Sequence, residues 1–261
     1  MHAIGIVWVG TRTLNFDATV RFFQDVLEMR LGRSRPRDYA RFDLPDGSFL
    51  EVLDAARPGL THFSTGPVPG FLVDDLDGGR AELASQGYEL IGDVGPRPGD
   101  RAPYRWQDFR APDGCVYEII DYPERPPPTE PSGAMAVTKV VWCGTSAERF
   151  EEVCRFYRET LELTVIEQTE DLIECSFPDG SSLEAFRRGG PMDHPHFRTG
   201  PAPAFAVADI DRAMELLRAC GVPLILTRRR DWGGWAHFRA PDGCIYEVKG
   251  FAPGHGPVGE V

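Results

Sequence analysis

Pro-Asp-Gly followed by a glutamate four residues after the glycine occurs four times in the 261 residues, and this repeat restricts the fold more than any other feature. The copies are Asp46-Gly47 with Glu51, Asp113-Gly114 with Glu118, Asp179-Gly180 with Glu184, and Asp242-Gly243 with Glu247. Proline presets φ, glycine accepts positive φ, and the run after each turn is apolar or alternating, so each copy predicts a β-hairpin. A longer period encloses the shorter one. Phe109-Arg110-Ala111-Pro112-Asp113-Gly114-Cys115 returns unchanged as Phe238-Arg239-Ala240-Pro241-Asp242-Gly243-Cys244. Val7-Trp8-Val9-Gly10-Thr11 is matched by Val141-Trp142-Cys143-Gly144-Thr145, and His62-Phe63 by His196-Phe197. The chain is therefore a duplicated unit that is itself duplicated.

Ahead of each hairpin stands a segment of helical period. The clearest has Phe16, Val20, Phe23 and Leu27, mirrored by Phe150, Cys154, Tyr157 and Leu161, an apolar stripe that faces a sheet. The other two helices open at the candidate N-caps Asp75 and Asp209 and stop at Gly87 and Gly221. Each module reads strand, helix, three strands. The expected fold class is α+β: two tandem domains, each of two βαβββ modules forming a cup-shaped half-barrel sheet with helices outside. The expected limits are residues 1–122, a Pro-rich linker at 123–134, a second domain at 135–251 and a tail at 252–261. At about 3.1 Å per residue such a linker reaches roughly 35 Å, enough to cross a domain face, so tertiary structure decides which modules pair.

A formal charge of -12 with no basic block argues against nucleic acid as a partner. No 18-residue apolar run and no leader pattern is present, so the expectation is no membrane and a cytoplasmic location. Six cysteines without a C-x-x-C pair make neither a disulfide framework nor a zinc knuckle. Lys139 and Lys249 are the only lysines among 28 basic residues, which fits a GC-rich bacterial source.

A paired βαβββ module, with a helix ending in Phe-Phe or Phe-Tyr and a Pro-Asp-Gly-x-x-x-Glu hairpin, resembles the glyoxalase/bleomycin-resistance/dioxygenase (vicinal oxygen chelate) superfamily. The resemblance covers nearly the whole chain. It implies a site on the concave face of each half-barrel. Enzymes of that superfamily hold a divalent metal with His, Gln or Glu from the first strands and Glu from the last. Glu51, Glu118, Glu184 and Glu247 match the last-strand positions, but the candidate first strands, residues 3–9, 66–73, 137–143 and 200–207, contain no such ligand. Carboxylates alone depart from the mixed donor sets usual for transition metals. No metal and no cofactor are expected.

Each glutamate of the quartet has apolar neighbours on its strand face, as Phe49, Glu51 and Leu53 or Val116, Glu118 and Ile120 do. Such a carboxyl is either a general base or cation partner, or a structural acid bonded to Arg or Tyr inside the repeat. His62 and His196 precede equivalent Thr-Gly-Pro turns, as acid–base groups or as loop residues. Asp193-His194-Pro195-His196 suits one metal if extended, but Leu60 stands where the first half would need the first His. Trp8 pairs with Trp142 and Trp106 with Trp235, as core residues or ligand platforms. Trp106 and Trp235 follow the loops Pro98-Gly99-Asp100-Arg101 and Asp231-Trp232-Gly233-Gly234, which suggests a mouth.

The leading reading is a metal-free protein that binds a small molecule, such as an antibiotic or secondary metabolite. The ligand would be planar or cationic, held by Trp106, Trp235, Glu118, Glu247, Trp8 and Trp142. The alternative is a lyase, isomerase or cyclase using Glu51 or Glu118 as base with His62 or His196. A metal-dependent glyoxalase or dioxygenase comes third. A homodimer is compatible with all three.

Overall fold

In the computed structural model the described residues are the whole chain except 59, 97–101, 132–134, 254 and 256–261. The loop Pro98-Gly99-Asp100-Arg101, part of the linker and most of the tail lie outside them. The first module is β1 (Ala3–Thr13), α1 (Phe16–Arg21), β2 (Arg30–Arg35), β3 (Tyr39–Asp43) and β4 (Phe49–Asp54). The second is β5 (Val68–Val73), α2 (Leu76–Ser85), β6 (Glu89–Gly95), β7 (Arg105–Arg110) and β8 (Val116–Asp121). The third is β9 (Val137–Ala147), α3 (Phe150–Arg155), β10 (Thr164–Gln168), β11 (Leu172–Ser176) and β12 (Ser182–Arg187). The fourth is β13 (Ala202–Val207), α4 (Ile210–Ala219), β14 (Leu224–Arg230), β15 (Gly233–Arg239) and β16 (Ile245–Phe251). The four glutamates fall on equivalent strands, β4, β8, β12 and β16.

Consecutive modules pair. The first sheet runs β2-β3-β4-β1-β5-β8-β7-β6 and the second β10-β11-β12-β9-β13-β16-β15-β14. Each is two four-stranded halves joined by antiparallel first strands, β1 with β5 and β9 with β13. The linker does not hang free: Thr129 N donates to Pro45 O at 2.7 Å and Arg125 donates to Asp46 O at 2.8 Å. Caps fall as the sequence predicts. The Asp75 carboxylate accepts from Gly78 N, the Asp209 carboxylate from Asp211 N and Arg212 N, and Gly87 and Gly221 take φ of 83° and 74°.

One local expectation changes. The Phe16 to Leu27 stripe is not a uniform helix: after α1 the chain widens into a π-helical turn over Phe22–Val26, and after α3 over Phe156–Thr160. Leu27 N reaches back to Phe22 O at 3.1 Å and Leu161 N to Phe156 O at 3.0 Å. The wider turn lets two successive aromatics, Phe22 and Phe23 or Phe156 and Tyr157, be buried together.

Those aromatics join the domains. Phe23 packs on Phe205 and Tyr246 of the second sheet, at 6.4 and 5.3 Å between centroids. Phe156 packs on Phe109 and Tyr88 of the first, at 5.9 and 5.2 Å. A single apolar core thus runs between the convex faces, while two smaller clusters line the concave ones. Each of the identical heptapeptides bonds to the other domain across this interface. Asp113 Oδ2 accepts from Tyr117 OH at 2.7 Å and from Thr145 Oγ1 at 3.0 Å. Asp242 Oδ2 accepts from Tyr246 OH and Thr11 Oγ1, both at 2.8 Å. Among the described residues no helix is long and apolar enough to cross a membrane, and all six cysteines are free.

Candidate functional site

On the floor of the first cup, Glu118 of β8 lies directly opposite Asp108 of β7. Both are buried, at 4% and 7% exposure. Burial raises the Glu118 pKa well above the usual carboxylate range, and the Asp108 charge and hydrogen bond raise it further. The nearby Asp108 carboxyl thus adds to burial in favouring the protonated form of Glu118. His62 Nε2 is 2.9 Å from Asp108 Oδ2, and its side chain is 18% exposed. The result is a three-residue chain from a buried acid to solvent.

The second cup repeats the geometry with different chemistry. His237 stands where Asp108 does, opposite Glu247, and its Nε2 is 2.8 Å from Glu247 Oε2. Its Nδ1 is 2.9 Å from His196 Nε2. Trp235 stacks on His237 with centroids 4.4 Å apart. Burial, and then His237, push the His196 pKa down to about 4. His194 to His196 is not the extended pair a shared metal would need: a short 3-10 helix begins at Pro195, and His196 turns toward His237.

Glu51 and Glu184 answer to a different partner. Trp8 Nε1 donates to Glu51 at 3.1 Å and Trp142 Nε1 to Glu184 at 2.9 Å. Burial raises the Glu51 pKa, with Arg41 on the neighbouring strand opposing it. Burial followed by the Glu174 charge pushes Glu184 up to about 8, against the pull of Lys249. Trp8 and Trp142 are buried at 3% each, whereas Trp106 lines the first cup with Trp8, Tyr104, Glu51, Asp108 and Glu118 around a cavity of about 610 Å³. No hydrogen bond joins His62 to Glu51 or directly to Glu118 among the described residues; Asp108 makes the link.

Sequence reasoning missed Asp108, His237, Arg41, Glu174 and Lys249. One signal was available for the first two: they stand two residues after Trp106 and Trp235, hence on the same strand face, where the repeat otherwise matches.

The metal arrangement of the resembling enzymes does not fit these residues. The first strands, β1, β5, β9 and β13, contain no His, Gln, Glu or Asp. Across the middle of the first sheet Trp8 faces Gly70 and Gly70 faces Glu118; in the second, Trp142 faces Ala204 and Ala204 faces Glu247. An indole that donates to a glutamate, and a residue without a donor atom, occupy the two ligand places. Among the described residues no three His, Cys, Asp or Glu side chains are arranged to hold a metal ion.

Two eight-stranded cups joined by their convex faces, each with a buried acid–base chain on its concave face, define a tandem βαβββ half-barrel protein. Residues 139–248 match the Glyoxalase/Bleomycin resistance protein/Dioxygenase superfamily, and the first domain repeats the strand order of the second. A Mn(II)-bound glyoxalase from Novosphingobium aromaticivorans superposes with a TM-score of 0.74 at 16% identity, over 95% of this chain and 82% of that one. The 2,3-dioxygenase LapB from Pseudomonas sp. KL28 gives 0.71 at 17%, over 99% and 97%. A catechol 2,3-dioxygenase gives 0.70 at 17%, over 97% and 89%. At these identities the likeness is one of fold. No curated protein matches the chain by sequence.

Proposed function

We propose that the first cup binds a planar small molecule and exchanges a proton with it through Glu118, Asp108 and His62, as a lyase, isomerase or cyclase would. The observation that carries this reading is the Asp108–Glu118 pair, buried side by side on the floor of an aromatic-walled cavity with His62 on its outer end. A buried carboxyl held protonated by its surroundings can give up and take back a proton inside the cavity, the usual role of a positioned general acid or base. The antibiotic-sequestering reading uses the same walls but leaves the buried Glu118 acid and the Asp108–His62 contact without a role.

The test is binding of a panel of planar carbon acids followed by calorimetry, with deuterium uptake in D2O followed by NMR. Glu118→Gln is expected to keep binding within a few-fold and to slow exchange by about 10²–10⁴-fold, the usual worth of a positioned proton donor or acceptor. Binding without exchange in the wild type, or exchange unchanged in the variant, removes the catalytic reading and leaves a binding protein.

A metal-dependent reaction is the reading that the solved neighbours favour, since they include a Mn(II)-bound glyoxalase and 2,3-dioxygenases. The donor set speaks against it. Dialysis against Mn(II), Fe(II) or Zn(II) followed by elemental analysis is expected to leave well under one metal per chain. A stoichiometric ion lost in Glu118→Ala or Glu247→Ala selects the metal-dependent reading instead.

A further inference from the structure

Arg33 of β2, Arg41 of β3 and Glu51 of β4 stand in one row across the first sheet, each opposite the next. At the same registers of the second sheet the row is Glu167, Glu174 and Glu184. Two positions are thus inverted in charge between cups of otherwise repeated design. Like charges directly opposite one another weaken a sheet, so neither row is explained by stability.

The first row belongs to the cavity, which Arg33, Arg41, Arg35 and Arg57 all line. Asp38 neutralises part of this charge by pairing with Arg35 and Arg57, and Arg41 pairs with Asp43. Arg33 has no ion-pair partner among the described residues. Burial raises the pKa of Glu51 and of Glu118, which weakens the negative charge opposing the arginines. In a chain of net charge -12, this mouth is a local attractor for anions. At the floor, Asp108 Oδ1 is buried and takes no hydrogen bond, although Oδ2 is met by His62. Such an orphaned oxygen calls for a donor. Between the two ends stand the rings of Trp8, Phe63, Tyr104 and Trp106.

We propose that the first cup takes a planar organic acid, with its carboxylate at Arg33 beside Arg41, its ring system against the aromatic wall and a hydroxyl or amino donor on Asp108 Oδ1. The second cup, with Glu167 and Glu174 at the matching positions, rejects the same acid. On this proposal the first cup takes an anionic ligand in place of the cationic one that glutamates beside aromatic rings suggested. This inference rests on the reading of that cup as a ligand site.

The test is calorimetric titration of the full chain with three probes of one shape: a hydroxynaphthoate, the hydroxynaphthalene lacking the carboxylate, and the aminomethyl compound in its place. The acid is expected to bind at one site per chain, at least tenfold more tightly than the amine. Arg33→Glu, on an exposed edge strand, is expected to weaken the acid by about tenfold or more, as loss of a charge-assisted contact does, and to narrow or reverse the preference. Arg33→Gln should give an intermediate loss. Equal binding of all three probes, two acid sites per chain, or an acid affinity unmoved by Arg33→Glu overturns the inference and leaves the proposed function standing. A cup that binds neither these probes nor any other planar compound overturns both.

Discussion

Phe23→Ala is expected to lower the stability of the whole chain by about 3–5 kcal/mol, the usual cost of emptying a fully buried phenylalanine site. Phe23 is 0% exposed. Its ring touches Phe42 of its own sheet at 5.9 Å, but also Phe205 and Tyr246 of the other domain. The cavity therefore opens in the seam between domains and not within one of them. Beyond the lower midpoint, the two domains should lose part of their mutual support, so that a single urea transition broadens or divides in two. Urea unfolding followed by tryptophan fluorescence and by circular dichroism reads both effects. A loss below about 1 kcal/mol, with the two probes still coincident, would show that the seam does not couple the domains.

The second large effect is in pH. Burial and Glu174 hold the Glu184 pKa at about 8 against an ordinary value of 4.5. The native state therefore keeps a proton that the unfolded chain has already lost. The sign follows: the contribution is fully present below about pH 4.5 and disappears as pH rises through about 8. Its size is on the order of a few kcal/mol, since each tenfold difference in proton affinity is worth about 1.4 kcal/mol. Glu184→Gln carries no such proton and still offers an oxygen to Trp142 Nε1. The variant is expected to match the wild type near pH 5 and to be the more stable near pH 9. Denaturant midpoints measured across that range decide it; parallel curves for the two proteins would mean that Glu184 is ionised throughout.

Neither expectation was readable along the chain, because each depends on a neighbour more than a hundred residues away or across a strand pair. Features encoded within a few consecutive residues were readable. Pro-Asp-Gly makes its turn wherever it stands, so the four hairpins and the equivalent places of Glu51, Glu118, Glu184 and Glu247 follow from the repeat. Asp75 and Asp209 cap their helices because a carboxylate at that point meets the free N–H groups two or three residues on. The poverty of first-strand ligands is a matter of composition, and it holds although β1 and β9 run longer than the sequence suggested.

The partners of those residues came from the tertiary structure. A glutamate on a strand has its next neighbour set by register, which no single segment encodes, so Asp108 and His237 emerged only when β7 lay on β8 and β15 on β16. The same holds for the charge of the cups: Arg33, Arg41 and Glu51 are scattered in sequence and become a row only through two strand pairings. The pairing of consecutive modules was likewise open, since a Pro-rich linker of this reach allowed other arrangements. Antiparallel pairing of β1 with β5 and of β9 with β13 and the aromatic seam built by Phe23 and Phe156 decided it. Local backbone preference and composition fixed the modules of this protein; hydrophobic burial between them, which acts without regard to sequence distance, fixed how they meet and what each cup contains.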